Sequence, residues 1–160
     1  MGNCLDTCII SCCISEKVIE DLERYSYDGR ILYAKVCEIY DGDTCSIVFR
    51  TGMKMKKMRV RCYGYDSPEM RPSLSIAEPY RAQIKQKAEN AKKRFTELTS
   101  TTKYMVCRCG KFDKYGRLLV VFYEPQMCCV DYNDFGKSIN AIMIREDHGV
   151  PYYGGTKVPV

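Results

Sequence analysis

Residues 31–62, ILYAKVCEIYDGDTCSIVFRTGMKMKKMRVRC, predict three β-strands joined by two tight turns. Apolar side chains alternate with others over 31–40 and again over 44–50, which is the pattern of strands with one buried face. Asp-Gly-Asp at 41–43 and Thr-Gly at 51–52 are turn-forming sequences that separate the strands. Three strands joined by such short turns form a meander that can close into a small barrel.

The third strand changes the side on which its apolar residues fall. Met53 and Met55 occupy odd positions, whereas Met58 and Val60 occupy even ones. A strand keeps one parity unless an extra residue is inserted, so the pattern predicts a β-bulge near Lys56-Lys57. Such a bulge would help a small sheet to curl.

The chain beyond the meander continues with a long helix and two more strands. Residues 80–98 carry a single apolar stripe at helical spacing, and Pro79 suits the first turn of this helix. Strands follow at 104–109 and 118–123, joined by a hairpin loop.

The last part of the chain predicts a short helix and a turn. Ser138 is placed to cap a helix that ends at Gly149, and residues 151–155 have the composition of a turn. The predicted order is therefore five strands, with a long helix between the third and fourth and a short helix after the fifth. This is an α+β fold that is mainly β, and 160 residues suffice to bury its core in one domain.

Charge divides the chain into an acidic N-terminal segment and a basic body. Residues 1–29 hold two basic and six acidic residues, whereas residues 30–160 hold 23 basic and 14 acidic ones. A basic surface suits a polyanionic partner such as DNA or RNA, although the same charge also serves solubility. We therefore predict an acylation or spacer segment over 1–29 and one folded domain over 30–160.

The chain contains eleven cysteines, which raises the question of disulfide bonds. The N-terminus resembles no secretory signal, because it has no basic residue before Lys17 and its apolar run is short and interrupted. These features favour free thiols in a reducing cytosolic compartment. A zinc site is the alternative, but Cys107-x-Cys109 lacks a second pair at ligand spacing and His148 is the only histidine.

The first residues, Met1-Gly2-Asn3-Cys4, are typical of an acylation signal. Gly2 is a candidate for N-myristoylation and Cys4 a candidate for palmitoylation, although Asp6 stands where the usual signal has Ser or Thr. Because one acyl chain binds a membrane only marginally, the neighbouring thiols are the natural second signal. Acylation would place the protein on the cytosolic side of a membrane. An unmodified terminus would leave it cytoplasmic, and neither case predicts secretion.

Acidic and arginine side chains gather in three short segments at predicted strand ends and turns, over 41–44, 61–69 and 113–117. Carboxylate oxygens are the ligands that Ca²⁺ and Mg²⁺ prefer, and arginine binds phosphate through paired N–H groups. A metal ion, arginines and a further carboxylate are the equipment for hydrolysing a phosphodiester. Each segment alone is also an ordinary turn sequence, so the prediction depends on their combination.

The three segments resemble the signatures of the staphylococcal nuclease-like (thermonuclease) family. They are Asp41-Gly42-Asp43-Thr44, Arg61-x4-Asp66-Ser67-Pro68-Glu69 and Asp113-Lys114-Tyr115-Gly116-Arg117. The resemblance covers residues 30–157 and implies a five-stranded OB-type barrel. The N-terminal residues are similar to those of the short, N-terminally acylated, calcium-dependent members of this family.

The resemblance also implies a set of metal ligands. Asp43 and Asp66 match the carboxylates that hold the catalytic Ca²⁺, and Ser67 matches a position whose main-chain carbonyl binds the same ion. Asp41 matches an acid close to the metal. The preference for Ca²⁺ comes from the resemblance, because two carboxylates and a carbonyl would also suit Mg²⁺ with waters.

The remaining matches concern catalysis and substrate. Glu69 matches the carboxylate that positions or deprotonates the attacking water. Arg61 and Arg117 match the two arginines that grip the scissile phosphate. The candidates for stacking on nucleotide bases are Tyr115, Tyr152 and Tyr153.

The leading hypothesis is a metal-dependent phosphodiesterase that hydrolyses DNA and RNA with little sequence preference, because contacts to phosphate and base faces do not encode sequence. One alternative is a non-catalytic OB-type module that binds nucleic acid and is tethered to a membrane. Another is a membrane-tethered scaffold whose barrel binds a partner protein. The presence of the full set of acids and arginines favours the enzyme.

Overall fold

The computed structural model describes residues 25–125 and 131–154. The predicted acylation residues Gly2 and Cys4 and the cysteine pair at 128–129 lie outside these ranges. The described elements, in chain order, are β1 (Ile31–Ile39), β2 (Thr44–Thr51), β3 (Lys54–Cys62), β4 (Gly64–Asp66), α1 (Tyr80–Ser100), β5 (Met105–Phe112), β6 (Leu118–Tyr123), a 3-10 turn (Phe135–Lys137), α2 (Ile139–Arg145) and β7 (Val150–Tyr152).

Five of the strands close into a barrel in the order β1-β2-β3-β6-β5. The barrel is antiparallel except between β3 and β6, which run parallel with Arg61 beside Leu119. This confirms the prediction of a mainly β fold with a five-stranded barrel and two helices. Apolar side chains from all five strands fill its interior, among them Ala34, Ile47, Phe49, Val60, Met105, Leu118, Val120 and Phe122.

The cysteines of the described strands are free thiols. Cys45, Cys62, Cys107 and Cys109 are buried with the apolar side chains of the barrel. Burial raises the pKa of each of these thiols, which favours the neutral form. They therefore serve as small apolar residues of the core.

The predicted bulge in β3 is wrong. β2 and β3 pair without a register shift over their whole length. Met53 and Met55 project beyond the barrel and are 90% and 66% exposed, so their parity does not report which face of β3 is buried. A register shift occurs instead in β1, between Val36 and Glu38.

The predicted turn at 151–155 is also wrong in its first part, because Val150–Tyr152 forms strand β7. This strand pairs antiparallel with β4, with Gly64 opposite Tyr152 and Asp66 opposite Val150. Strands of three residues have no periodic pattern, so only the pairing reveals them. The small sheet brings residues 150–152 to the segment that follows β3.

The two helices differ from the prediction at their ends. Tyr80, the first residue of α1, is 64% exposed, and the buried stripe begins only at Ala88. The first two turns of α1 thus extend past the barrel. α2 ends at Arg145, before the predicted end at Gly149, because Asp147 adopts a left-handed backbone conformation with φ of 58°. Within the described ranges, neither helix combines the length and apolar character needed to cross a bilayer.

A fully buried side chain, Asn140 of α2, ties this helix to the barrel. Its Oδ1 accepts the Phe122 N–H at 3.0 Å, and its Nδ2 donates to the carbonyls of Tyr63 at 2.8 Å and Val120 at 3.0 Å. The side chain therefore forms hydrogen bonds with three main-chain groups where β6 meets the end of β3.

Replacing Asn140 by alanine should lower the free energy of unfolding by about 3 kcal/mol, because the buried Phe122 N–H loses its partner and the carbonyls of Tyr63 and Val120 each lose a hydrogen bond. Chemical denaturation of both proteins measures the difference. Asn90→Ala, at an exposed position of α1, is the control and should change stability by less than about 0.5 kcal/mol. Equal stability of the Asn140 variant and the parent would show that water replaces the side chain.

Candidate active site

The turn between β1 and β2 is held closely against the rest of the molecule. Asp41 accepts the Asp43 N–H at 3.1 Å, and the Tyr65 hydroxyl donates to the Gly42 carbonyl at 2.6 Å. A Cβ on Gly42 would lie 2.9 Å from the Cβ atoms of Ala91 and Ser67, so this position requires glycine. These contacts fix the backbone that carries Asp43.

Asp43 is a buried carboxylate, 3% exposed, with partners on both oxygens. Oδ1 accepts the Thr44 hydroxyl at 2.8 Å. Oδ2 accepts the Ser67 N–H at 3.2 Å and forms an ion pair with Arg61 Nη2 at 2.8 Å. The side chain thus connects the first two sequence motifs.

Arg61 joins the two candidate metal-binding acids. Its Nη2 contacts Asp43 Oδ2 and also donates to Asp66 Oδ1. Because both oxygens bind the same nitrogen, they lie close enough for one cation to bridge them. Arg61 is the cross-strand neighbour of Thr44, so the register of β2 and β3 determines this arrangement.

The cluster contains more carboxylates than positive charges, because Asp43 and Asp66 share the guanidinium of Arg61 and Asp41 lies beside Asp43. Burial raises the pKa of Asp43 to about 7, Arg61 acts in the opposite direction, and Asp41 raises it further. Burial makes a carboxyl group costly to ionise, and a nearby cation stabilises its ionised form. The donor set therefore fits a hard divalent ion such as Ca²⁺ or Mg²⁺.

Arg117 approaches the same turn from the loop between β5 and β6. Its Nε donates to Asp113 Oδ2 at 2.7 Å, and its Nη1 donates to the Thr44 hydroxyl at 3.2 Å. Burial raises the pKa of Asp113, but hydrogen bonds from Arg117 and Tyr115 outweigh burial and hold the pKa below its usual value. Asp113 thus orients Arg117, and Thr44 links Arg117 to Asp43.

A cavity of about 560 Å³ opens beside the two arginines. The Tyr63 and Tyr153 rings meet edge to face with centroids 5.8 Å apart. Lys114 Nζ and Arg117 Cζ lie 5.1 and 5.4 Å from the centre of the Tyr115 ring. The lining combines basic and aromatic side chains: Arg61, Tyr63, Lys114, Tyr115, Arg117, Tyr152 and Tyr153.

The sequence-predicted residues are thus brought together unequally. Asp43 and Asp66 contact Arg61, and Asp41 and Ser67 form hydrogen bonds with Asp43. All three predicted tyrosines line the cavity beside Arg117. Glu69 is exposed in the loop after β4 and is not part of the cavity lining.

Sequence reasoning missed three residues of the site: Thr44, Tyr63 and Asp113. Thr44 and Asp113 belong to the quoted motifs, but no sequence pattern assigned either of them a contact. Tyr63 stands two residues after Arg61, so the alternation of a strand would have placed it on the same side.

In the described ranges, no group of three or more His, Cys, Asp or Glu side chains is arranged to hold a metal ion. The candidate metal site therefore depends on two carboxylates, with main-chain oxygen and water as further ligands. Cys107 and Cys109, the alternative zinc ligands, are buried in the barrel.

Fold and site together define a mainly β protein with a closed five-stranded barrel and an acid–arginine cluster at one end of β2 and β3. No family model and no curated protein sequence matches the chain.

Proposed function

We propose that the chain is a metal-dependent phosphodiesterase, with Ca²⁺ as the metal, that hydrolyses DNA and RNA with little sequence preference. In this proposal the barrel is of the OB type, and the chain is similar to the staphylococcal nuclease-like family. The observation that carries it is the convergence of Arg61 and Arg117 with Asp43 and Asp66 beside a tyrosine-lined cavity.

The two arginines can offset the negative charge of a phosphodiester during hydrolysis. A phosphodiester resists attack because its negative charge repels a nucleophile, and the charge on its oxygens increases in the transition state. Arg117 is oriented by Asp113 and directs Nη1 toward Thr44, and Arg61 lines the same cavity. Arg117 is held in place for a phosphate oxygen, and Arg61 would turn toward the phosphate once the metal takes its place between Asp43 and Asp66.

The metal would be held by Asp43, Asp66 and the main-chain carbonyl of Ser67. When bound, such a cation polarises the phosphoryl oxygen and offsets its charge. Glu69, which is exposed in the loop after β4, is the carboxylate that would accept a proton from the attacking water. Tyr115, Tyr152 and Tyr153 offer ring faces for bases, so recognition is independent of sequence.

A second candidate function is favoured by the Arg61 contacts. Arg61 already pairs with both Asp43 and Asp66, so each acid has a charged partner without a metal ion. A non-catalytic OB-type module would bind DNA or RNA through the cavity and retain the acids for their structural role. In either case, acyl chains on Gly2 and Cys4 would tether the protein to the cytosolic side of a membrane.

The full chain should cut single-stranded DNA in the presence of Ca²⁺, and a chelator should lower the rate by at least about a thousandfold. A gel-based cleavage assay with Ca²⁺, with Mg²⁺ and with chelator measures this, and the same assay with RNA tests the second substrate. DNA binding without cleavage under every condition would establish the binding module instead. A protein that neither binds nor cuts DNA or RNA would exclude both functions.

A further inference from the structure

The β2–β3 hairpin projects past the barrel core. Phe49 is the last fully buried side chain of β2, and every residue from Gly52 to Lys57 is exposed. Met53, at the turn, is 90% exposed, and Met55 is 66% exposed. Single exposed apolar residues are normal on a protein surface, but two on one projecting ribbon form an apolar tip.

The same ribbon is strongly basic. Residues 50–57 contain four basic residues and no acidic one. Lys57 pairs with Glu38, whereas Lys54 and Lys56 form no ion pair with any described residue. Arg50 folds over the turn, where its Nε donates to the Gly52 carbonyl at 2.8 Å. The apolar tip is therefore surrounded by a basic collar.

The hairpin lies far from the candidate active site and close to the start of the described chain. Thr51 follows Thr44 by seven residues of β2, a separation of about 23 Å in an extended strand. Tyr27 is buried against Phe49, with ring centroids 5.8 Å apart. The segment that precedes Tyr25 therefore joins the barrel near the base of the hairpin.

We propose that the β2–β3 hairpin docks on an anionic lipid membrane. Met53 and Met55 enter the boundary between head groups and acyl chains, and Lys54, Lys56 and Arg50 bind the lipid phosphates. An apolar tip with a basic collar has the composition of an interfacial membrane anchor. Nucleic acid fits this surface less well, because strand-binding surfaces use aromatic rings for stacking and the tip offers methionines. Docking would leave the acid–arginine cluster at the far end of β2.

The test uses the full chain produced without acylation and mixed with vesicles in a sedimentation assay at low salt. The protein should sediment with vesicles that contain phosphatidylserine and stay in solution with phosphatidylcholine alone. Lys54→Gln with Lys56→Gln should weaken binding about 25-fold, since each basic residue near an anionic surface contributes about fivefold. Met53→Ser with Met55→Ser should weaken it about tenfold, because the apolar contact is lost.

Two control variants distinguish the contribution of the hairpin to vesicle binding from the effect of removing charge or apolar surface elsewhere on the protein. Lys87→Gln with Lys93→Gln removes the same charge from the exposed face of α1, and Leu74→Ser removes an 86%-exposed apolar residue elsewhere. Both should bind vesicles as the parent does. Equal losses in the control and hairpin variants would overturn the proposal, as would an absence of binding to phosphatidylserine. It would also be overturned if the hairpin lysine variant lost affinity for single-stranded DNA and kept its affinity for vesicles.

Discussion

Replacing Glu69 by glutamine should lower the rate of DNA cleavage by about a thousandfold and leave DNA affinity unchanged. Glutamine has nearly the same shape as glutamate but cannot accept a proton from water at neutral pH. The side chain lies in an exposed loop, so thermal unfolding should change by less than about 0.5 kcal/mol. Single-turnover cleavage and a separate binding measurement with chelator distinguish the two effects.

The matched control is Glu89→Gln, which makes the same change at an exposed position of α1 and should cut DNA at the parent rate. A Glu69 variant that retained full activity would show that another group activates the water. That result would be consistent with the proposed phosphodiesterase activity but would show that Glu69 has no role in its mechanism.

Replacing Asp43 by asparagine should abolish cleavage and at the same time raise stability at alkaline pH. An unfolded aspartate titrates near pH 4, whereas burial raises the pKa of Asp43 in the folded protein to about 7. A raised carboxyl pKa favours folding below about pH 4, and this contribution is lost as the pH rises through about 7. Asparagine does not ionise, so the variant keeps this contribution to the free energy of unfolding at high pH.

The expected gain at about pH 8 is about 4 kcal/mol, which would raise the melting temperature by about 10 °C. This value follows from the shift in pKa, which already includes the attraction between Asp43 and Arg61. The difference between variant and parent should disappear below about pH 3, where the carboxyl is protonated in both the folded and the unfolded state.

Thermal unfolding in chelator across this pH range measures the effect, and Asp28→Asn, at an exposed position, is the control. A variant less stable than the parent at every pH would mean that the ion pair with Arg61 outweighs the cost of burial. Loss of cleavage without any change in stability would assign Asp43 to metal binding alone.

The sequence predicted most of the barrel because its signals are local. Alternation over 31–40 and 44–50, with turn residues between, gave β1 and β2, and the apolar run at 118–123 gave β6 to the residue. The errors fall where the local pattern and the environment differ. Met53 and Met55 are apolar but exposed, so their positions suggested a bulge that β3 does not have.

The candidate site was predicted as a set of residues but not as an arrangement. The motifs named Asp43, Asp66 and both arginines, yet nothing in the sequence indicated that Arg61 would contact both acids. The roles of Thr44 and Asp113 were likewise invisible, because each depends on where Arg117 lies after the hairpin loop folds back.

By itself, then, the sequence determined the approximate positions of the five barrel strands and the two helices, the split of charge and the chemical types of the residues at the turns. Hydrophobic period and turn chemistry act between residues close in the chain, so a sequence records them directly. Tertiary structure alone decided the parallel closure of β3 on β6, the pairing of β4 with β7 and the bridge made by Arg61. These contacts join residues far apart in the chain, and they form only when burial of the shared core offsets the entropy of closing the loops between them.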